Sequence, residues 1–490
     1  MKKYLAIGFC TLFAGLHICF AQTKAYAPRI EACPCTLYKA DSSLQSKCGY
    51  LIVPENRKNP TGRTIKLPFV YVVSSNPNKQ KDVVLYTAGG PGASSLSSAG
   101  WIHYTPLVKN RDFIAFEQRG TKNAIPFLGC PEVSEAKKTA YRKNLSKDSL
   151  VLAATARCRE RLQLKGIDLS AYNTNESAAD IADLKLSLKI DSINLIGISY
   201  SGGLMMNVMQ NFPSGIRSVV LDSPLPTFVN YDEEGLLNVN EAFNKIFVNC
   251  EKDSTDKNLY GHLKEKFIAY FSSIGNNVFR ISYLEKNAKD SLKINYSRNE
   301  LLEVLTDKLS DNRSLKNIPY IITELIKGNH ADYMTEFLNG VFSGTNNSSL
   351  GMRYSVWCTE QIPYEKESII NNQNIVLPYL AGYSFNNVNK ALCKCWNVSP
   401  VADDVKRPVY SSIPVLLGAG DTDPWCRPLY NNVINHYMPN SQRLLFIDRT
   451  HAPLLNSREG FDAIQLFLDD PMKKVEGVKG KFENDNTWLH

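Results

Sequence analysis

The sequence predicts an α/β fold, with a mostly parallel central sheet, helices on both faces and a large helical insertion. Three observations carry that expectation. From Cys48 to about Pro226 short β-branched runs alternate with turns and helix-compatible stretches, the pattern of a parallel sheet with crossover helices. From about 227 to 404 the texture changes to Asn, Lys, Glu and Leu at helical spacing, with few runs suited to a buried strand. Strand texture then returns from Ser411 to Gly418 and from Arg443 to Asp448, before a closing helix from Gly460 to Leu468.

In order, the strand candidates are Leu51 to Val53, Leu67 to Val73, Val83 to Tyr86, Phe113 to Phe116, Ile193 to Ile196 and Val219 to Leu221. Ala178, Ile181, Leu184 and Leu188 recur three or four apart and mark an amphipathic helix that packs on the sheet. The chain thus divides into 22–226 as the first part of the core, 227–404 as the insertion, and 405–490 as the C-terminal part of the core.

Residues 1–21 read as a secretory leader. Lys2 and Lys3 precede an apolar stretch from Tyr4 to Phe20, and small residues at Cys19 and Ala21 fit a cut before Gln22. Leu16 to Cys19 lacks the small residue expected before a lipid-modified cysteine, and nothing later is apolar for long enough to anchor the chain in a membrane. The expectation is an exported protein, periplasmic or extracellular. Of the 12 cysteines, Cys10 and Cys19 leave with the leader, and the even remainder in an exported chain reads as disulfides. Zinc is the rival, but Cys33-Pro34-Cys35 and Cys393-Lys394-Cys395 are spaced too tightly and lack nearby histidines. No metal or other cofactor is expected. The formal charge of +8 falls to +6 without Lys2 and Lys3, and no basic block suggests nucleic acid.

The chemistry centres on Ser199. The run Ile193 to Ile196 feeds Gly197-Ile198-Ser199-Tyr200-Ser201-Gly202 and then a helix-compatible stretch, which is how an α/β hydrolase lifts a nucleophilic serine above its sheet. Gly-x-Ser also occurs at Ser94 and Ser384 without that context, and Ser201 stands where the motif has its second glycine. A serine needs a base, and the base an acid, in the chain order Ser, Asp or Glu, His, each at a strand end. His103 precedes the serine, His262 and His330 lie in the insertion, His436 sits in a helical run and His490 ends the chain. His451, after the strand that ends near Ile447, is the base. Asp421, directly after Val415 to Gly420, is the expected acid, with Asp423 as the alternative. Backbone N–H groups of Tyr200 and of Gly90, in the glycine-rich turn after Val83 to Tyr86, are the expected oxyanion donors.

Taken together, Gly89-Gly90-Pro91-Gly92, Glu117-Gln118-Arg119-Gly120, Gly197 to Tyr200, Leu221-Asp222-Ser223, Gly418 to Asp421 and His451 resemble the proline iminopeptidase and secreted tripeptidyl aminopeptidase family of serine exopeptidases. Cys48 to Pro54, Leu128 to Glu132, Cys158-Arg159 and Ser355 to Glu360 extend the match to its secreted branch. The resemblance implies an α/β-hydrolase core under a helical lid, and release of single residues or short peptides from free N-termini. It also implies disulfides pairing Cys130 with Cys158, Cys35 with Cys48, and Cys358 with Cys393. Ala88, Glu117 and Ser201 depart from the family pattern, which has histidine, aspartate and glycine there.

An exopeptidase must pair its substrate's ammonium group with a carboxylate. Glu360 is the expected partner, ahead of Asp232, Glu233 and Glu234 at the start of the insertion. A secreted carboxylesterase or lipase with the same triad is the alternative function, and a non-catalytic binding protein on a hydrolase fold is the third.

Overall fold

The computed structural model describes residues 26–35, 45–98, 102, 105–344 and 348–484. The expected leader therefore lies outside the described residues. The strands are β1 (Arg29–Cys33), β2 (Ser46–Pro54), β3 (Thr64–Val72), β4 (Val83–Thr87), β5 (Phe113–Phe116), β6 (Ile193–Ile198), β7 (Ile216–Asp222), β8 (Phe279–Tyr283), β9 (Leu292–Tyr296), β10 (Val415–Gly420), β11 (Ser441–Phe446) and β12 (Phe482–Asn484). Ten of them form one sheet in the order β1-β2-β3-β5-β4-β6-β7-β10-β11-β12.

The run from β5 through β4, β6, β7 and β10 to β11 is parallel. These strands are buried on both faces, which is why they read as continuous apolar runs. Leu195, Val219 and Leu417 face one layer of the core, while Ile196, Val220 and Leu416 face the other. Each such aliphatic side chain contributes about 1.5–3 kcal/mol relative to exposure. The parallel pattern expected from Cys48 onward fails at the N-terminal end, where β1, β2 and β3 pair antiparallel and β3 runs antiparallel to β5. Single-strand patterning carries no information on a neighbour's direction.

Register sets the functional edge of the sheet. Thr87 pairs with Gly197, Ile198 with Asp222, Asp222 with Gly418, and Gly420 with Phe446. The residues that follow these strands therefore gather at one edge, the carboxyl ends, where ligands bind in sheets of this kind.

Between β7 and β10 the chain leaves the sheet to build a mostly helical lid, whose hairpin of β8 and β9 was not expected. The lid has a core of its own that includes Phe267, Leu305 and Ile322. Tyr141 joins that core from the helix Pro131–Lys143, so the excursion between β5 and β6 completes the lid. The three disulfides implied by the family resemblance form: Cys35 with Cys48, Cys130 with Cys158, and Cys358 with Cys393. Among the described residues no helix is long and apolar enough to cross a membrane.

Candidate active site

Ser199 stands between β6 and the helix Tyr200–Asn211 with φ 56° and ψ −125°. A non-glycine residue held there costs about 1–3 kcal/mol, and persists only where the surroundings enforce it. The enforcement is visible on both sides. A Cβ at Gly197 would meet the Ser201 carbonyl oxygen at 2.4 Å, and one at Gly202 would meet Pro224 Cβ at 2.6 Å. Ser201, the departure from pattern, strengthens the turn: its hydroxyl accepts from Ile198 N at 2.7 Å and donates to the Thr87 carbonyl at 2.8 Å.

The glycine-rich turn lies against this elbow. A Cβ at Gly89 would come within 2.9 Å of Ser199 Cβ and 3.4 Å of Tyr200 N, so only glycine lets the two backbones approach this closely. Gly90 has φ 115°, and its carbonyl accepts from Arg353 Nη1 at 2.8 Å. The Glu117 motif supports the same turn from below. Gln118 Nε2 donates to the Ala88 carbonyl at 2.7 Å, and Glu117 accepts from Leu96 N at 3.0 Å. The longer side chain at Glu117 is thus fully used, and burial raises its pKa.

The structure pairs His451 with Asp423, the alternative, and not with Asp421 as expected. His451 Nδ1 lies 2.8 Å from Asp423 Oδ2, whereas Asp421 accepts from Arg449 N at 3.4 Å and pairs with Lys245 Nζ at 2.9 Å. Strand β10 ends at Gly420, and the chain turns before Asp423 comes round to the histidine. Asp423 is 1% exposed, and its other oxygen accepts from Trp425 N at 2.8 Å and Cys426 N at 3.0 Å. Burial alone pulls the His451 pKa down, but the charge and hydrogen bond of Asp423, with a smaller effect of Asp222, carry it above the ordinary histidine value. The histidine loop is held by residues the sequence reading gave no role. Asp222 accepts from Leu454 N at 3.1 Å and Leu455 N at 2.9 Å, while Ser223 Oγ accepts from Ala452 N at 3.0 Å.

Ser199, His451, Gly89 and Gly90 line one cavity of about 820 Å³, walled also by Tyr231, Trp357, Phe385 and Trp425. Glu360 does not line it. The residue is 3% exposed, and its carboxylate accepts from Thr174 N and, at 2.6 Å, from Thr174 Oγ1, which in turn bonds Tyr200 OH at 2.9 Å. Burial pushes its pKa up to about 7. Asp232, Glu233 and Glu234 are also engaged elsewhere, with Asn386, the Lys366 amide and Arg427 respectively. Among the described residues, the acidic groups that do line the cavity are Asp148, Glu303 and Asp307. Glu303 and Asp307, one turn apart on the helix Arg298–Leu309, also line a second cavity of about 480 Å³, so they stand where the two adjoin.

Residues 82–265 match the family model described as the alpha/beta hydrolase fold. A tripeptidyl aminopeptidase of Streptomyces lividans is 28% identical over 199 residues, 36% of this chain and 35% of that protein. The serine protease Hip1 of Mycobacterium tuberculosis is 23% identical over 267 residues, 50% of this chain and 49% of that one. The chain thus spans about a third to a half of these relatives. The solved proline iminopeptidase of Mycobacterium smegmatis is 12% identical, with a TM-score of 0.39 over 86% of this chain and 98% of that one, too distant a likeness to bear on function. The strand order and the family match together give the chain the α/β-hydrolase fold.

Proposed function

We propose that the chain is an exported aminopeptidase that releases single residues or short peptides from free N-termini through an acyl-enzyme on Ser199. The observation that carries the reading is the Asp423–His451 pair at 2.8 Å, whose histidine lines one cavity with Ser199 and with the lid carboxyls Glu303 and Asp307. His451 takes the Ser199 hydroxyl proton as the serine attacks the scissile carbonyl, then returns it to the departing amine. Asp423 holds the proton on Nδ1, so that Nε2 is free to accept, and stabilises the imidazolium that forms. The N–H groups of Gly90 and Tyr200 receive the negative charge on the tetrahedral oxygen. Water then attacks the acyl-enzyme with His451 again as base.

Glu303 and Asp307 take the role first expected of Glu360. Partial desolvation at the cavity wall raises both carboxyls, against the pull of Lys147 and Lys137 on Glu303, and with the charge of Glu303 it carries Asp307 to about 7. A substrate ammonium beside them favours their charged forms, which makes them receptive to a free N-terminus. The peptidase relatives and the three disulfides support the substrate class and the export. The aromatic walls near Ser199 favour a second reading, an esterase that seats an apolar acyl chain there.

A panel of aminoacyl, dipeptidyl and tripeptidyl naphthylamides, each free and N-acetylated, set beside short-chain esters, separates the two. The aminopeptidase cleaves the free peptides, and acetylation lowers kcat/KM by at least tenfold. Joint Glu303→Gln and Asp307→Asn substitution raises KM for free peptides about 10- to 100-fold, the worth of one hydrogen bond to a charged group, and leaves ester turnover in place. Turnover of esters alone would sink the peptidase reading.

A further inference from the structure

The lid helix Gly235–Lys252 carries Asn238, Glu241, Lys245 and Asn249 at spacings of three and four, which puts them on one face. That face does not pack on the apolar core of the lid. It meets the two loops that carry Asp423 and His451. Arg427 is held between Glu234 at 2.7 Å, just before the helix, and Glu241 at 2.5 Å. Asn238 donates to the Trp425 carbonyl at 3.2 Å, Lys245 pairs with Asp421 at 2.9 Å, and Asn249 donates to Asp448 Oδ1 at 2.7 Å. A further lid residue, Asn312, accepts from Thr450 N at 3.0 Å.

The two loops are also bound to each other where the helix touches them. Asp421 Oδ1 accepts from Arg449 N at 3.4 Å, and Thr422 Oγ1 donates to the Arg449 carbonyl at 2.8 Å. A Cβ at Gly420 would lie 2.2 Å from the carbonyl oxygens of Arg449 and Thr450. Asp421 therefore sits at a three-way junction of acid loop, base loop and lid.

We infer that this helix face is a positioning element: Lys245 through Asp421, and Asn249 through Asp448, register the acid loop against the base loop, so the Asp423–His451 pair is set only while the lid is docked. The inference rests on the triad reading above. Lys245 and Asn249 touch no reacting atom, and they act through the loops they hold. A lid that lifts to admit substrate must break these contacts, which ties hydrolysis to the closed state.

The test compares Lys245→Met, Lys245→Arg and Asn249→Ala with the parent chain. The readouts are kcat and KM on an unblocked naphthylamide, the acid limb of the kcat/KM profile, and the rate of fluorophosphonate labelling of Ser199. Positioning predicts that Lys245→Met lowers kcat and the labelling rate about tenfold with KM within about twofold, and Asn249→Ala lowers them less. The groups that bear on His451 are Asp423 and Asp222, and those beside Lys245 are Asp421 and, through it, Asp448. Slackening the Asp423 contact in Lys245→Met moves the acid limb to lower pH, and Lys245→Arg restores both rate and limb. A lower thermal midpoint with an unmoved acid limb and unchanged kcat would mean that the contacts only stabilise, and would overturn the inference. Loss of labelling and turnover in the parent chain would instead overturn the triad reading.

Discussion

The sharpest test of the site is the choice between two aspartates. Asp423→Asn is an isosteric change whose consequences can be worked through from the contacts. The carbonyl oxygen of the new amide can still accept from Trp425 N and Cys426 N, so the loop keeps its fold. Its NH2 then faces His451 Nδ1, 2.8 Å away, where a carboxylate had accepted. The ring is driven to the tautomer with its proton on Nε2, where it cannot accept the proton of Ser199. The same change at a Ser-His-Asp triad lowers kcat about 10,000-fold, or about 5.5 kcal/mol of transition-state stabilisation. Asp421→Asn alters a contact with Lys245 and the Arg449 amide and leaves the histidine's partner in place, so the expected loss is about tenfold. Steady-state kcat on an unblocked naphthylamide from pH 5 to 9 measures both. A loss for Asp421→Asn equal to or larger than that for Asp423→Asn would refute the assignment of the acid.

Three further outcomes follow from the same geometry. Hydrolysis needs a neutral His451, and Asp423 raises its pKa, so kcat/KM falls on acidification at a pH above the ordinary histidine value of about 6.5; a limb below that value contradicts the pairing. Ser201→Ala strands the half-buried Ile198 N–H and the buried Thr87 carbonyl, which lowers the thermal midpoint by the equivalent of about 1–3 kcal/mol and slows turnover, because the strained elbow relaxes. Glu360→Ala likewise lowers the midpoint by removing the acceptor for Thr174, but changes KM for unblocked peptides by no more than about twofold; a large KM effect confined to unblocked peptides would return Glu360 to amine binding.

The core strands were legible in the sequence because their apolar runs are continuous, and so was the place of Ser199, the glycine-rich turn and His451, each just after such a strand. Asp421 and Asp423 were not separable that way. They lie two apart, and the turn after Gly420 decides which one reaches His451. Glu360 misled for a related reason: it ends the helix Leu350–Glu360, and only tertiary packing turns its carboxylate toward Thr174 rather than the cavity. The antiparallel strands β2 and β3 carry buried apolar runs like those of the parallel strands, so their direction was invisible. Glu303 and Asp307 were hidden in a charged helical stretch whose cavity exists only once the lid folds onto the core.

Every role proposed for the site depends on Ser199 as the nucleophile. Treatment with a fluorophosphonate, followed by peptide mapping, measures it directly. One adduct is expected, on Ser199, formed in the parent chain and absent in Ser199→Ala along with hydrolysis. An adduct on another serine, or peptide cleavage that persists in Ser199→Ala, would contradict it.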